Sequence, residues 1–188
     1  PMATKKKQTL RNSEYYDMQS TFDELMQKVK TAGVPEPYGN NLLEENIQLA
    51  YRNIKRNGGS VTPGVDGITI RDIEQMPAEK YIRTVQKKLA WYKPKPVKRV
   101  EIPKPNGGID LGIPTMFDRL VQQSIKQVLE PICEAKFHEY SYGFRPNRSA
   151  ENAISKVQNL IHFTKLYYVV DMDIKEFFDN VNHSKLIK

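Results

Sequence analysis

One cysteine, Cys133, and three histidines, His138, His162 and His183, are all that the chain offers a disulfide or a cysteine–histidine zinc site. An internal disulfide is excluded, and the histidines share no zinc-like spacing with the cysteine, so Cys133 reads as a small buried residue. Long apolar runs are missing as well. No stretch approaches the roughly 18 residues of a membrane span, and the lysine-rich start lacks the apolar core of a signal peptide, which points to an intracellular, cytoplasmic protein. Acids are the scarcer charge, with 22 Asp and Glu against 29 Lys and Arg and a formal net charge of +7. That sign of excess suits a polyanionic partner. What is present is an ordinary globular composition, 39% hydrophobic over 188 residues, enough for one large domain or two small ones with a real core.

The basic residues are clustered. Lys5-Lys6-Lys7, Lys87-Lys88, Lys93, Lys95, Lys98-Arg99 and Lys104 crowd into a few segments, with Trp91 and Tyr92 between them. Cations that neutralise phosphates, beside aromatics that stack on bases, are what a nucleic-acid surface needs. Trp91 fits equally well as a core anchor.

Pro1 ahead of Met2 reads as an added residue, and residues 3 to 12 are expected to be disordered. From Ser13 to Lys30 the spacing of Tyr16, Met18, Phe22, Leu25, Met26 and Val29 predicts an amphipathic helix, ended by a Gly- and Pro-rich breaker over 33–40. A second helix is predicted over 42–56, stopped by Asn57-Gly58-Gly59. Thr62 to Gly67 reads as a turn-rich loop, and 71–92 as one or two helices broken at Pro77. Val97–Ile102 and Ile109–Ile113 read as strands of a hairpin whose turn carries Asn106-Gly107, a pair that tolerates positive φ. A helix follows from Thr115, its possible cap, to about Phe137. After a loop through Tyr142-Gly143-Phe144-Arg145-Pro146, Ser149 and Asn152 open another helix with Ala153, Ile154, Val157 and Ile161 on its apolar face. There are no internal repeats, and the mixture of helix and hairpin lacks the alternation of a doubly wound fold.

The most informative stretch runs from Tyr167 to Asp179. Tyr167-Tyr168-Val169-Val170 is β-prone and apolar and reads as a buried strand, ending in Asp171, Asp173 and Glu176. Alternation along a strand puts Asp171 and Asp173 on one side, and an acid at a buried strand end needs a positive partner. A divalent metal would serve, and the corner formed with Phe177, Phe178 and Asp179 points to phosphoryl-transfer chemistry.

Four segments, in this order, resemble the reverse transcriptase and maturase proteins encoded by group II introns. They are Pro63-Gly64-Val65-Asp66-Gly67-Ile68-Thr69; Val100 to Gly108 with Leu111-Gly112-Ile113-Pro114-Thr115; Ser141 to Pro146 with Arg148-Ser149-Ala150; and Asp173-Ile174-Lys175-Glu176-Phe177-Phe178-Asp179-Asn180-Val181-Asn182-His183. The resemblance covers roughly residues 40 to 188. It implies an α+β fold of right-hand polymerase type, with residues 1–40 an N-terminal extension, 41–115 the fingers, and 116–188 the passage from fingers to palm, ending in the first catalytic palm strand. It also implies an RNA-directed DNA polymerase that works with Mg2+ on an RNA template, a DNA primer and deoxynucleoside triphosphates, and that binds group II intron RNA to assist splicing and mobility.

Residue by residue, the resemblance makes Asp173 the first catalytic carboxylate, binding both metal ions, with the Ile174 carbonyl as a further ligand. Two hard cations need oxygen ligands, and together they stabilise the attacking 3′-hydroxyl and the departing pyrophosphate. Strand geometry alone leaves Asp171 in competition with Asp173; the family pattern decides between them. Phe178 matches the wall beneath the incoming sugar, although by itself it reads as core. Lys104 and Arg99 sit on the hairpin that in the family folds over the nucleotide, where cations meet the triphosphate. Arg145 is expected to touch the template or shape the nucleotide pocket, and Lys87, Lys88 and Lys98 to contact RNA. Gly64 and Gly67 are assigned to a tight turn.

Two features depart from the family. Relatives usually carry a basic residue before the Leu-Gly-Ile-Pro that matches 111–114, where this chain has Ile109-Asp110, an acid that would repel a triphosphate. The family's second catalytic element contains adjacent aspartates, and no Asp-Asp pair occurs in the 188 residues. The chain is therefore expected to be an N-terminal fragment that does not polymerise alone, an expectation that template-dependent extension by it would refute. The alternative is an RNA-binding maturase module without polymerase chemistry. A third reading, a basic domain whose acidic strand end is capped by lysines, does not account for four ordered motifs.

Overall fold

Ile47, Ala50 and Ile54 recur at three- and four-residue intervals, as do Ile82 with Val85 and Leu120 with Ser124 and Gln127, so these segments bury one face each as helices. The computed structural model describes residues 16–32, 41–102, 109–177 and 180–186. Its elements are α1 (Met18–Ala32), α2 (Asn41–Arg56), α3 (Ile70–Glu74), α4 (Ala78–Ala90), β1 (Lys98–Ile102), β2 (Ile109–Ile113), α5 (Met116–Glu134), α6 (Ala150–Thr164) and α7 (His183–Leu186), with a 3-10 turn at Gly58–Val61. The breaker expected over 33–40 and the hairpin turn over 103–108 lie outside the described residues. Two compact units divide the chain between Phe137 and His138.

In the first unit, α1, α2 and α4 pack on α5. Ile47, Ile54, Ile70, Ile73, Tyr81, Ile82, Val85, Met116, Leu120 and Val121 form the core. At about 2 kcal/mol for each fully buried aliphatic side chain, this cluster is the main favourable contribution to the unit. Tyr51 stacks on Tyr81 with ring centroids 5.1 Å apart, and burial pushes the Tyr81 phenol up to about 12. A buried polar network fixes α2 against α5. Asn46 donates through Nδ2 to the Ser124 carbonyl at 2.9 Å, and Gln127 donates through Nε2 to Asn46 Oδ1 at 2.7 Å. Such groups are tolerated inside because each finds a partner, and they select one register where apolar contacts would allow several.

β1 and β2 pair antiparallel with Lys98 opposite Ile113, Arg99 opposite Gly112, Val100 opposite Leu111 and Glu101 opposite Asp110. This is the hairpin expected from sequence. Val100 and Leu111 are exposed, so the ribbon is not held by burial of its faces, and a two-stranded ribbon is marginal by itself. Cys133, expected to be buried, is half-buried.

The second unit contains α6, opened as expected by Ser149, whose side chain accepts from the Asn152 amide while the Ser149 amide donates to Asn152 Oδ1 at 2.9 Å. None of its residues is buried; Ile154, Val157 and Phe163 are exposed. The helix ends on Lys165 in the left-handed region, φ 55°, whose amide returns to the Leu160 carbonyl, a 6→1 closure. The buried strand predicted over 167–173 is not formed. Residues 165–174 have no regular structure, and Tyr168, Val169, Val170 and Met172 are exposed. The physical reason is the lack of a ladder, because among the described residues the only sheet is β1 with β2, and a strand needs neighbours for its N–H and C=O groups.

Candidate nucleotide and nucleic-acid site

The hairpin is anchored at its base by the first turn of α5. Thr115 is the N-cap and accepts from the Asp118 amide, while its hydroxyl donates to Asp118 Oδ2 at 2.8 Å. The Thr-x-x-Asp spacing is that of a capping box. Asp118 does more than cap. Its Oδ1 takes Lys88 Nζ at 3.0 Å, and its Oδ2 takes the Lys95 backbone amide at 3.2 Å, so one buried carboxylate joins α4, the strap leading to β1, and α5. Burial pushes this carboxyl up, but the bonds from Lys88, Thr115 and Lys95 outweigh it and hold Asp118 below the usual carboxylate range.

Arg119 completes the anchor on the other leg. Its Nε donates to the Pro114 carbonyl at 3.0 Å, and its two terminal nitrogens donate to the Gly59 and Thr62 carbonyls at 2.9 and 2.8 Å. The planar fork of a guanidinium suits three carbonyls from two separate loops. The 62–67 loop approaches so closely that a Cβ on Gly64 would lie 2.8 Å from Thr115 Cα and 2.9 Å from the Pro114 oxygen. Gly64 is therefore required by contact, not by a turn. Gly67, with φ 72°, is the residue that meets the turn expectation. Asp66 accepts from the Ile68 amide at 3.3 Å and pairs with Lys95 Nζ at 3.4 Å. Asp118, Arg119 and the contact reason for Gly64 were not read from the sequence, although Thr115-x-x-Asp118 was there to be seen as a capping signal.

The predicted site residues fall on both units. Lys98 and Arg99 are exposed and adjacent on β1, and Arg99 shares its face of the ribbon with Glu101. Lys87 is exposed on α4. Lys88, expected to contact RNA, is committed to Asp118, with 21% of its side chain exposed. Trp91 is 84% exposed, which removes its core reading. Lys104 and Phe178 lie outside the described residues.

In the second unit Arg145 donates through Nη1 to the His138 and Ser141 carbonyls at 2.8 and 2.9 Å, and so shapes its own loop. Arg148 lies 5.4 Å from the centroid of the Tyr142 ring, and Lys156 lies 4.4 Å from that of Tyr140. Phe144 has φ 55° and a fully exposed ring. Asp173 is exposed, and its Oδ1 accepts from the Ile174 amide at 2.9 Å. Asn180 closes the following turn, its side-chain amide donating to the Glu176 carbonyl at 3.0 Å. Among the described residues no three His, Cys, Asp or Glu side chains gather into a metal cage. The donors do fit magnesium, which keeps several waters and takes only one or two carboxylates from protein. Asp173 Oδ2 and the Ile174 carbonyl are oxygens of that kind.

Residues 102–188, which include β2, the anchor on α5 and the Asp173 turn, match the reverse transcriptase (RNA-dependent DNA polymerase) family. Similar proteins narrow the class. Protein YkfC of Escherichia coli is 39% identical over 149 residues, 77% of this chain and 39% of that protein. The group II intron-encoded protein LtrA of Lactococcus lactis subsp. cremoris is 36% identical over 141 residues, 74% of this chain and 23% of that protein. The putative COX1/OXI3 intron 1 protein of Saccharomyces cerevisiae is 33% identical over 161 residues, 81% of this chain and 19% of that protein. The resemblance to group II intron reverse transcriptases and maturases carried by the four motifs is thus borne out. The chain spans between about a fifth and two fifths of the length of these relatives. No helix among the described residues is long and apolar enough to cross a membrane.

Proposed function

We propose that the chain forms the fingers and the opening of the palm of an RNA-directed DNA polymerase of group II intron type, which copies RNA into DNA and binds intron RNA in support of splicing and mobility. The reading divides the chain into an N-terminal extension over 1–40, fingers over 41–115 and the passage into the palm over 116–188. The observation that carries it is the reverse transcriptase match over 102–188, because that span holds Asp173-Ile174. Asp173 and the Ile174 carbonyl are the residues that hold Mg2+, which, when bound, offsets the charge of the attacking 3′ oxygen and of the departing pyrophosphate. Arg99, on β1, and Lys104 meet the triphosphate. Phe178 walls the sugar. Arg145, through the loop it ties, shapes the path of the template, and Lys98 and Lys87 contact RNA.

Primer extension on an RNA template tests the reading, using the protein that carries this chain at the full length of its relatives and comparing wild type with Asp173→Asn in magnesium. Extension that disappears in the variant supports it; extension that survives rejects Asp173 as the metal ligand. A second reading, a maturase module that binds RNA without polymerising, is favoured by one feature. The ribbon register sets Glu101 opposite Asp110, two acids on the element that should receive a triphosphate. It predicts salt-sensitive RNA binding with no extension by either protein.

A further inference from the structure

α4 presents a basic stripe on its outer side. Tyr81, Ile82 and Val85 turn into the core, which leaves Lys80, Arg83 and Lys87, at helical spacings of three and four, on the opposite face. All three are exposed. With Pro77, Glu79 and Thr84 they line one open groove. No ion pair engages any of the three cations among the described residues. Lys88, a step around the helix, shows the contrast, since it is paired with Asp118. Four residues beyond Lys87 the stripe ends at Trp91, the helix C-cap, whose amide returns to the Lys87 carbonyl at 3.1 Å. Trp91 is 84% exposed.

An indole left in water at the end of unpaired cations fits a particular ligand chemistry. A membrane surface is disfavoured because the apolar side of α4 is already spent on the core, and an interfacial helix needs that side for lipid. An acidic protein partner would want a cluster of apolar anchors at the centre of its interface, and the stripe offers one aromatic at its end. Single-stranded RNA wants what is here: cations along a backbone track and a flat π-face for a base. From Lys80 to Trp91 the stripe runs about 16 Å at about 1.5 Å per residue.

We propose that Lys80, Arg83, Lys87 and Trp91 form a binding surface for a single-stranded or looped RNA segment, the three cations on phosphates and the Trp91 indole stacked on a base. The proposal rests on reading the chain as an RNA-handling protein and assigns that role to a specific face. It gives Lys80, Arg83 and Trp91 a function beside Lys87, and none of them takes part in the Asp173 chemistry.

Trp91 is the chain's one tryptophan, so its fluorescence reports this surface alone. The experiment titrates the 188-residue chain with an unstructured RNA oligonucleotide and follows Trp91 emission and its quenching by acrylamide, with anisotropy of labelled RNA as an independent measure of affinity. RNA is expected to quench Trp91 and shield it from acrylamide. The triple variant K80Q/R83Q/K87Q should bind at least about tenfold more weakly, and its slope of log affinity against log salt should be shallower by about 2, at about 0.7 per cation on a single strand. W91A should weaken binding about tenfold with the salt slope unchanged, and W91F should restore most of it, because base stacking on an aromatic is worth about 1–3 kcal/mol. Heparin, a polyanion without bases, should bind but leave Trp91 open to acrylamide. The proposal is overturned if the triple variant keeps wild-type affinity and salt slope, if Trp91 stays equally accessible at saturating RNA, or if heparin shields it as RNA does. Primer extension separates the two readings. Asp173-dependent extension with a silent α4 sinks this surface alone, and RNA capture at α4 without extension sinks only the polymerase reading.

Discussion

Asp118 and Asp173 are both aspartates at the start of a turn, yet they live in opposite surroundings. Asp118 is buried, at 2% exposure, and is matched by Lys88, Thr115 and the Lys95 amide. Asp173 is exposed, and its Oδ1 accepts from the amide of the next residue. A buried carboxylate survives only when its neighbours compensate for lost water, and the first unit supplies all of them. Asp118 is therefore a fold carboxylate, which joins the α4 helix and the strap leading into β1 to α5. Asp173 has no such obligation within the described residues, and a carboxylate that no structural contact needs is free to serve a ligand.

Exchanging each carboxylate in turn sharpens this contrast. The largest expected effect is that of Asp173→Asn, which should lower primer extension by the protein of full relative length by about 10³-fold or more. The melting temperature and RNA affinity should stay at wild-type values; a matching loss of stability would place Asp173 with Asp118 as a fold residue.

Asp118→Ala should do the reverse. Removing one member of a buried pair leaves Lys88 uncompensated and the Lys95 amide without an acceptor, at a cost of about 3 kcal/mol in denaturant unfolding. The pH dependence has a definite sign. Because the folded state holds Asp118 below its ordinary value, its contribution is present above the unfolded value of about 3.9 and is lost as pH falls below that toward the lower folded value. Asp118→Asn should therefore flatten the decline of melting temperature below about pH 4, and an acid limb that stays parallel to wild type would contradict the assignment.

Local punctuation made much of the first unit legible. Pro77 separates α3 from α4, Asn57-Gly58-Gly59 ends α2, and Thr115 and Ser149 open α5 and α6, because each acts within one or two turns of its own position. The anchor was not legible. Asp118 meets Lys88 and Lys95 across 30 and 23 residues, and sequence periodicity carries no information on such meetings. The stretch Tyr167–Val170 shows the opposite failure. Its composition is that of a buried strand, but burial depends on a neighbouring ladder, and composition cannot supply one. At the candidate site the Asp173-Ile174 position came from the family pattern, since alternation alone left Asp171 and Asp173 equal.

Gly64→Ala should have an intermediate effect, confined to the first unit. The new methyl would meet the backbone of Pro114 and Thr115 at under 3.0 Å, where no side chain can swing aside, so about 2 kcal/mol is expected. Hydrogen exchange should quicken at the β2 amides if the loop is wedged away from the hairpin base. Unchanged exchange there, with the stability loss present, would mean that the anchor holds through Asp118 and Arg119 without the glycine contact.

Ser149→Ala is the smallest change and tests the second unit by itself. It removes the acceptor for the Asn152 amide at the start of α6, worth about 1 kcal/mol at an N-cap. α6 buries none of its residues, so its stability rests more on caps than that of α5, which is held by Met116, Leu120 and Val121 in the core. The same loss should therefore cost α6 a larger share of its helicity, read as faster exchange at the amides of its first two turns, while Thr115→Ala should leave exchange in the middle of α5 nearly unchanged. Equal fraying of both helices would mean that α6 is supported by more than its own ends.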